Sequence, residues 1–269
     1  MQSRMASILK LKYSPVALTW ADEKPQGAVE FKKGRWGCFM FSFAAAARGR
    51  TAVFSRETYG CWGGGVGLGF GNRYQDFPGG EECFHYFLSS GNQHSEKGMA
   101  VAENLKGPGM EEFHDDFVQG ERYLQGPDKV ESFVKNLPIT DISAEYVVLK
   151  PLDQVSDKDD LKVVTFLANP DQLSALVVLA NHNRNTSDNV TIPFAAGCQA
   201  IALLPFAEAE KQLPRAVVGL TDISARKNVR KQLEADLLSF AMPLALYQEM
   251  EDNVEGSFLF RNTWKAIAG

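Results

Sequence analysis

The stretch Lys162-Val163-Val164-Thr165-Phe166-Leu167-Ala168-Asn169-Pro170-Asp171 decides the fold class. Its first seven residues are mostly β-branched or apolar and read as a strand. Asn169 is then suited to cap a helix, since its side chain can accept from an unpaired backbone N–H of the first turn. Pro170 suits the first helical position, where its fixed φ helps and its missing N–H is not needed. A strand that turns directly into a capped helix implies a sheet with helices on its faces. Outward from this point the theme repeats. Residues 146–149, 190–193, 216–220 and 237–242 read as strands, and 224–234, 244–252 and 257–267 as helices. Towards the N-terminus, 15–20 and 51–55 read as strands, and 38–48 as a helix stopped at Gly49. The reading is an α+β fold with a mixed sheet, forming a single domain over residues 1–269. Its least regular part is 71–140, where one helix is expected at 128–137 with Asp128 as N-cap and Pro138 after its end.

Composition narrows the function classes. Apolar residues make up 45% of the 269 positions and charged residues 23%, enough to bury a substantial core. The net charge is −5, and no basic stripe is present to displace counterions, so nucleic acid is not an expected partner. The most basic stretch, 226–231, is followed by Glu234 and Asp236 and reads as a solvated helix face. The amphipathic start, 1–11, lacks the continuous apolar core of a signal peptide. The longest apolar runs are far shorter than the roughly 20 residues a spanning helix needs. No membrane partner is expected, and the expected location is cytoplasmic, where four scattered cysteines are free thiols, ligands or catalytic groups.

Three of those four cysteines directly follow glycine: Gly37-Cys38, Gly60-Cys61 and Gly197-Cys198. With 23 glycines in the chain, chance gives this about a few times in a thousand. Glycine permits a sharp bend or positive φ, so each thiol is expected at a turn, and three such thiols can meet at one site. Spacing excludes the compact zinc motifs, because there is no Cys-x-x-Cys. Convergence on Cys38, Cys61 and Cys198 would suit an iron–sulfur cluster with an exchangeable iron, or a zinc ion with bound water. A single low-pKa thiol acting as nucleophile and inert buried thiols are the other readings. A helix starting after Cys61 would lower its pKa through the N-terminal dipole.

Cys61 opens the run Trp62-Gly63-Gly64-Gly65-Val66-Gly67-Leu68-Gly69. It matches neither a dinucleotide fingerprint nor a phosphate-binding loop with lysine. Its glycines, Gly63, Gly64, Gly65 and Gly67, are candidates for a small-molecule cradle, with close packing or a surface loop as the plain alternative. In Gly219-Leu220-Thr221-Asp222-Ile223-Ser224-Ala225-Arg226, Asp222 is a helix cap that Arg226 can pair with at i+4, or both can face an anionic ligand. Cys83 with His85 reads as structural. The acidic patch 111–116 reads as a solvated loop, with a hard cation as its functional alternative.

These residues carry a resemblance. Ser14-Pro15-Val16-Ala17, Gly37-Cys38, Gly60-Cys61, Lys150-Pro151-Leu152, Gly197-Cys198-Gln199-Ala200, 219–226 and Phe240-Ala241-Met242-Pro243 occur in the order seen in the uncharacterised family catalogued as domain of unknown function 169, which the chain resembles over most of its length. The resemblance implies no activity and no catalytic residue. It marks the same three Gly-Cys positions and the Gly-x-x-Asp-x-x-x-Arg segment. The run after Cys61 is richer in glycine than the family's Gly-Cys-x-Gly, and Cys83 is an addition. Two functions follow: a redox metal, iron–sulfur or reactive-ligand protein, or a non-catalytic small-molecule binding or sensing module with structural cysteines.

Overall fold

A computed structural model describes residues 1–268. The chain forms two compact units, one of Met1–Gly71 with Thr140–Gly269 and one of Asn72–Ile139.

In the first unit the described residues form one seven-stranded sheet: β1 (Val16–Ala21), β2 (Ala52–Ser55), β3 (Tyr146–Pro151), β4 (Asp160–Ala168), β5 (Val190–Thr191), β6 (Ala216–Gly219) and β7 (Leu238–Pro243). Their order is β2-β3-β1-β4-β7-β6-β5. Every neighbouring pair is antiparallel except β5 and β6, so the sheet is mixed and the fold is α+β. The pleat sorts side chains by alternation. Val16, Leu18, Val163, Leu167 and Ala241 join one core, whereas Ala17, Val164, Phe166, Phe240 and Met242 join the other. Both faces are therefore buried, which explains why β4 reads as a near-continuous apolar run.

The helices, in chain order, are α1 (Arg4–Ile8), α2 (Phe39–Ala47), α3 (Trp62–Gly67), α4 (Gly80–Phe87), α5 (Glu96–Asn104), α6 (Glu111–Gln119), α7 (Pro127–Asn136), α8 (Pro170–Ala180), α9 (Leu204–Ala209), α10 (Ile223–Val229), α11 (Leu244–Asp252) and α12 (Asn262–Ala268). On one face of the sheet, α2 buries Phe39, Met40 and Phe43. On the other, Leu176 and Leu179 of α8 and Leu246, Tyr247 and Met250 of α11 pack beside Phe166 and Phe240. Each such side chain contributes about 1.5–3 kcal/mol on burial. The start of α8 is as read: Asn169 accepts from Gln172 N, and the Gln172 side chain accepts from Asn169 N, a reciprocal cap with Pro170 at N1.

Residues 72–139 leave and return at adjacent points of the first unit. Gly71 N donates to Thr140 O at 3.0 Å, and Phe70 bridges Asp141. Arg56 secures the return, donating to the carbonyls of Ala144 and Ile142 and pairing with Asp141.

The structure corrects the reading of 71–140 as irregular. Residues 72–139 are helical, from a 3-10 turn at Arg73–Asp76 through α4, α5, α6 and α7. Tyr74, Phe77, Phe84, Phe87, Phe113 and Phe117 stack into an aromatic core. The glycines of this least regular part lie at the ends of helices or between them, with positive φ at Gly79, Gly91, Gly109 and Gly120. The acidic patch 111–116 lies in α6 rather than in a loop. Helix α7 starts one turn position earlier than read, with Gly126 as N-cap and Pro127 at N1, so Asp128 is inside its first turn. No helix among the described residues is long and apolar enough to cross a membrane.

Candidate functional site

The three Gly-Cys pairs come together beside the first core. Those at Cys38 and Cys61 precede a helix, whereas Gly197 and Cys198 are already helical, Cys198 at φ −66° and ψ −37°, which corrects the expectation that all three thiols stand on bends. Cys38 is the N-cap of α2, and Cys61 is the N-cap of α3, its sulfur accepting from Gly64 N at 3.2 Å. The first two turns touch. A Cβ on Gly60 would stand 2.3 Å from Gly37 O, and Gly60 has φ +84°. The Phe31 ring fills the remaining space, 2.2 Å from a Cβ on Gly37 and 2.8 Å from one on Gly60. Only glycine fits either position.

The third Gly-Cys pair, at the start of its own helix, closes on α3. Cys198 donates its S–H to Gly63 O at 3.0 Å. A Cβ on Gly67 would lie 2.7 Å from Cys198 Cβ and 2.8 Å from its sulfur. This contact accounts for Gly67, one of four glycines in a six-residue helix where each costs about 1 kcal/mol relative to alanine. The run is thus a helix, which corrects its reading as a loop. Gly64, Gly65 and Gly67 are buried within it, and the space over Gly64 is taken by Tyr59 O. Gly63 has nothing within 4 Å of its Cβ position.

Beyond Cys198 the backbone forms a π-helix over Gln199–Leu203, which runs into α9. Pro205 explains the wide turn: it lacks an N–H, and its ring crowds the carbonyl four residues back, Ile201. Such turns recur at functional sites.

Asp222 fastens the assembly. It caps α10, Oδ1 accepting from Ser224 N at 2.9 Å and Ala225 N at 3.2 Å, while Oδ2 accepts from Gly197 N at 3.2 Å. The cap is as read. The pairing with Arg226 is not. Arg226 donates instead to the carbonyls of Leu220, Leu237 and Ala235. Carboxylate oxygens already filled by backbone N–H groups leave the guanidinium to satisfy loop carbonyls. Leu220 holds a left-handed φ of +60°, unusual for a residue with a Cβ, and Arg226 clamps it there. Arg226→Gln is accordingly expected to lower stability by about 1–3 kcal/mol, read as a shift in the midpoint of urea unfolding. An unchanged midpoint would show that the clamp is idle.

The site is electrostatically closed to thiolates. Burial pushes the Cys61 thiol up from 9.0 to about 12, although the residue keeps some exposure, and the neighbouring Cys38 adds to the rise. Cys198 is driven well above the usual thiol range by burial, then by Cys61, Cys38 and Asp222. Cys38 is raised by burial, against hydrogen bonds from Met40 N and the Asn228 side chain. Burial also raises Asp222 against its three backbone donors. This corrects the expected low-pKa Cys61: desolvation outweighs the short helix's dipole. It also places the three sulfurs and one carboxylate in a single neighbourhood. No Lys, Arg or His is among the leading causes of these four shifts.

Among the described residues, no group of three or more His, Cys, Asp or Glu side chains stands ready to hold a single metal ion. The zinc reading therefore has no preassembled site, and the acidic patch of α6 forms none either. Cys83 is buried in α4, as its structural reading expects. Phe31 and Asn228 are site residues that the sequence did not disclose, because a ring wedged between two turns and an amide facing a thiol leave no periodic or motif signal. Trp36, Phe194 and Ile223, adjacent in sequence to the turns and to Asp222, are exposed.

No curated protein and no solved structure matches this chain. Three Gly-Cys pairs, the capped Asp222 and the Arg226 clamp lie within residues 4–253, the span over which the chain matches the family described as DUF169, uncharacterised ArCR, COG2043, and the chain belongs to that family.

Proposed function

We propose that this protein carries a thiol-ligated iron–sulfur centre on Cys38, Cys61 and Cys198. The observation that carries the reading is the meeting of three Gly-Cys pairs, from positions far apart in the chain, through close contacts at Gly37, Gly60 and Gly67. The electrostatics support it. Burial raises all three thiols and each other's charge adds to it at Cys61 and Cys198, so they ionise together only when a cation takes the place of the protons. A cluster fits better than one ion, since its irons occupy separate corners and accept sulfurs that do not converge on one point. Three cysteines leave one iron open to an exchangeable ligand.

Anaerobic reconstitution of the reduced protein with ferrous iron and sulfide is the test. The expected result is a coloured protein retaining several irons per chain after desalting, with a visible charge-transfer band. Serine at Cys38, Cys61 or Cys198 should each reduce the retained iron severalfold, whereas Cys83→Ser should not. A colourless product with less than one iron per chain would overturn the reading.

A second reading has its own support. The S–H of Cys198 bonded to Gly63 O and seated on Gly67 is what a purely structural thiol looks like. On that reading Cys198→Ala destabilises the chain and no variant differs in iron.

A further inference from the structure

The unit of residues 72–139 carries an open surface hollow that the cysteine site does not use. It has a volume of about 380 Å³ and is lined by Ser90, Gln93, His94, Arg122, Leu124 and Gln125 together with Ser89. Its walls are two segments, 88–94 and 119–125, laced by backbone hydrogen bonds. Glu121 N donates to Phe87 O, Arg122 N to Ser89 O, Tyr123 N to Leu88 O and Gln93 N to Val118 O, all between 2.8 and 3.1 Å. Two glycines make this lacing possible. A Cβ on Gly91 would be 2.2 Å from Val118 O, and one on Gly120 would be 2.2 Å from Ser89 O. Beneath them the buried Asn92 amide donates to Cys83 O and Phe117 O. The wall of the hollow is thus fixed rather than a loose surface loop.

Arg122 is the unusual member. Its φ is +56°, a left-handed conformation that a Cβ disfavours. Its Nε donates to Gln119 O at 3.2 Å, and the side chain is exposed, as are His94 and Gln125. A strained arginine on a rigid frame thus presents its fork to whatever arrives from solvent.

The charge pattern says which kind. Residues 72–139 carry 12 Asp and Glu against 6 Lys and Arg, yet no carboxylate lines the hollow. What lines it is one guanidinium with the side-chain amides of Gln93 and Gln125, the Ser90 hydroxyl and His94, all able to donate. Leu124 supplies an apolar wall. The volume lies at the small end of the range for small-molecule sites. We propose that this hollow binds a small organic oxyanion, a carboxylate or phosphate, with the Arg122 fork as its anchor. The proposal does not depend on the iron–sulfur reading.

The test is titration of the full chain, at low ionic strength, with succinate in one arm and with glycerol phosphate in the other. Isothermal calorimetry and the Arg122 Nε resonance give the readout. Saturable binding in about the millimolar range or tighter is expected in one arm at least, and the arm that saturates identifies the anion class. Arg122→Gly should weaken that binding at least about tenfold, since a bidentate charged contact is lost. It should also raise the melting temperature, because glycine relieves the left-handed strain. A circular dichroism spectrum unchanged from that of the parent chain separates lost binding from unfolding. Absence of saturation in both arms, or equal affinity in Arg122→Gly, would overturn the proposal.

Discussion

Gly60→Ala is expected to lower the stability of the folded chain by about 2–5 kcal/mol. An alanine at φ +84° costs about 1–2 kcal/mol in backbone strain alone. Its Cβ would then lie 2.3 Å from the Gly37 carbonyl and 2.8 Å from the Phe31 ring. The first of these is backbone, fixed by the adjoining Cys38 turn, so overpacking adds about 1–3 kcal/mol. Gly34→Ala is the matched control. Gly34 has φ +68° with nothing within 4 Å of a Cβ, so only the strain of about 1–2 kcal/mol applies. Equilibrium unfolding in guanidinium chloride measures both. A loss at Gly60 no greater than that at Gly34 would mean that the two Gly-Cys turns do not abut, and the convergence of the cysteines would go with it. Where the loss is large, the sequence choice of glycine before cysteine is explained by packing between turns.

The second large effect is kinetic. At pH 8 a thiol with a pKa near 12 is ionised to about one part in 10⁴, against about one tenth for an ordinary thiol at 9.0. Iodoacetamide reacts with the thiolate, so alkylation of native Cys61 should run about 10³-fold slower than that of a thiol in an unfolded peptide. Its rate should keep rising past pH 10 instead of levelling off. Site-resolved mass spectrometry of quenched samples provides the comparison. A peptide-like rate at Cys61, with a plateau near pH 9, would contradict a desolvated thiol. The same shift couples to stability. The unfolded chain loses the Cys61 proton near pH 9 while the folded chain keeps it until about pH 12, so stability is full below 9 and falls as pH rises through that window. Cys198 and Cys38 shift in the same direction and steepen the fall. A bound iron–sulfur centre would reverse the pattern, because ligation removes the protons at neutral pH.

The sequence disclosed most where the information is local. The Asn169-Pro170 start of α8, the stop of α2 before Gly49 and the Asp222 cap of α10 follow from the chemistry of two to four consecutive residues. Strands β1, β3, β4 and β7 were legible because both their faces are buried, which leaves long β-branched and aromatic runs. Within 72–139 only α7 was legible; α4, α5 and α6 are eight or nine residues long, and α4 and α6 meet through an aromatic cluster that leaves no motif in the sequence. In the candidate site, Gly-Cys recurrence singled out Cys38, Cys61 and Cys198 but was silent on Phe31 and Asn228.

What the sequence by itself determined is a set of backbone preferences: where the strands run, where helices begin, and which three thiols follow a glycine at or near a helix start. Only the tertiary structure decided that those Gly-Cys pairs meet, that the glycine run after Cys61 is a helix against Cys198, and that the thiols are protonated. The reason is physical. A turn is set by the φ and ψ of its own residues, whereas a thiol's pKa and its neighbours are set by atoms more than a hundred positions away that remove its water.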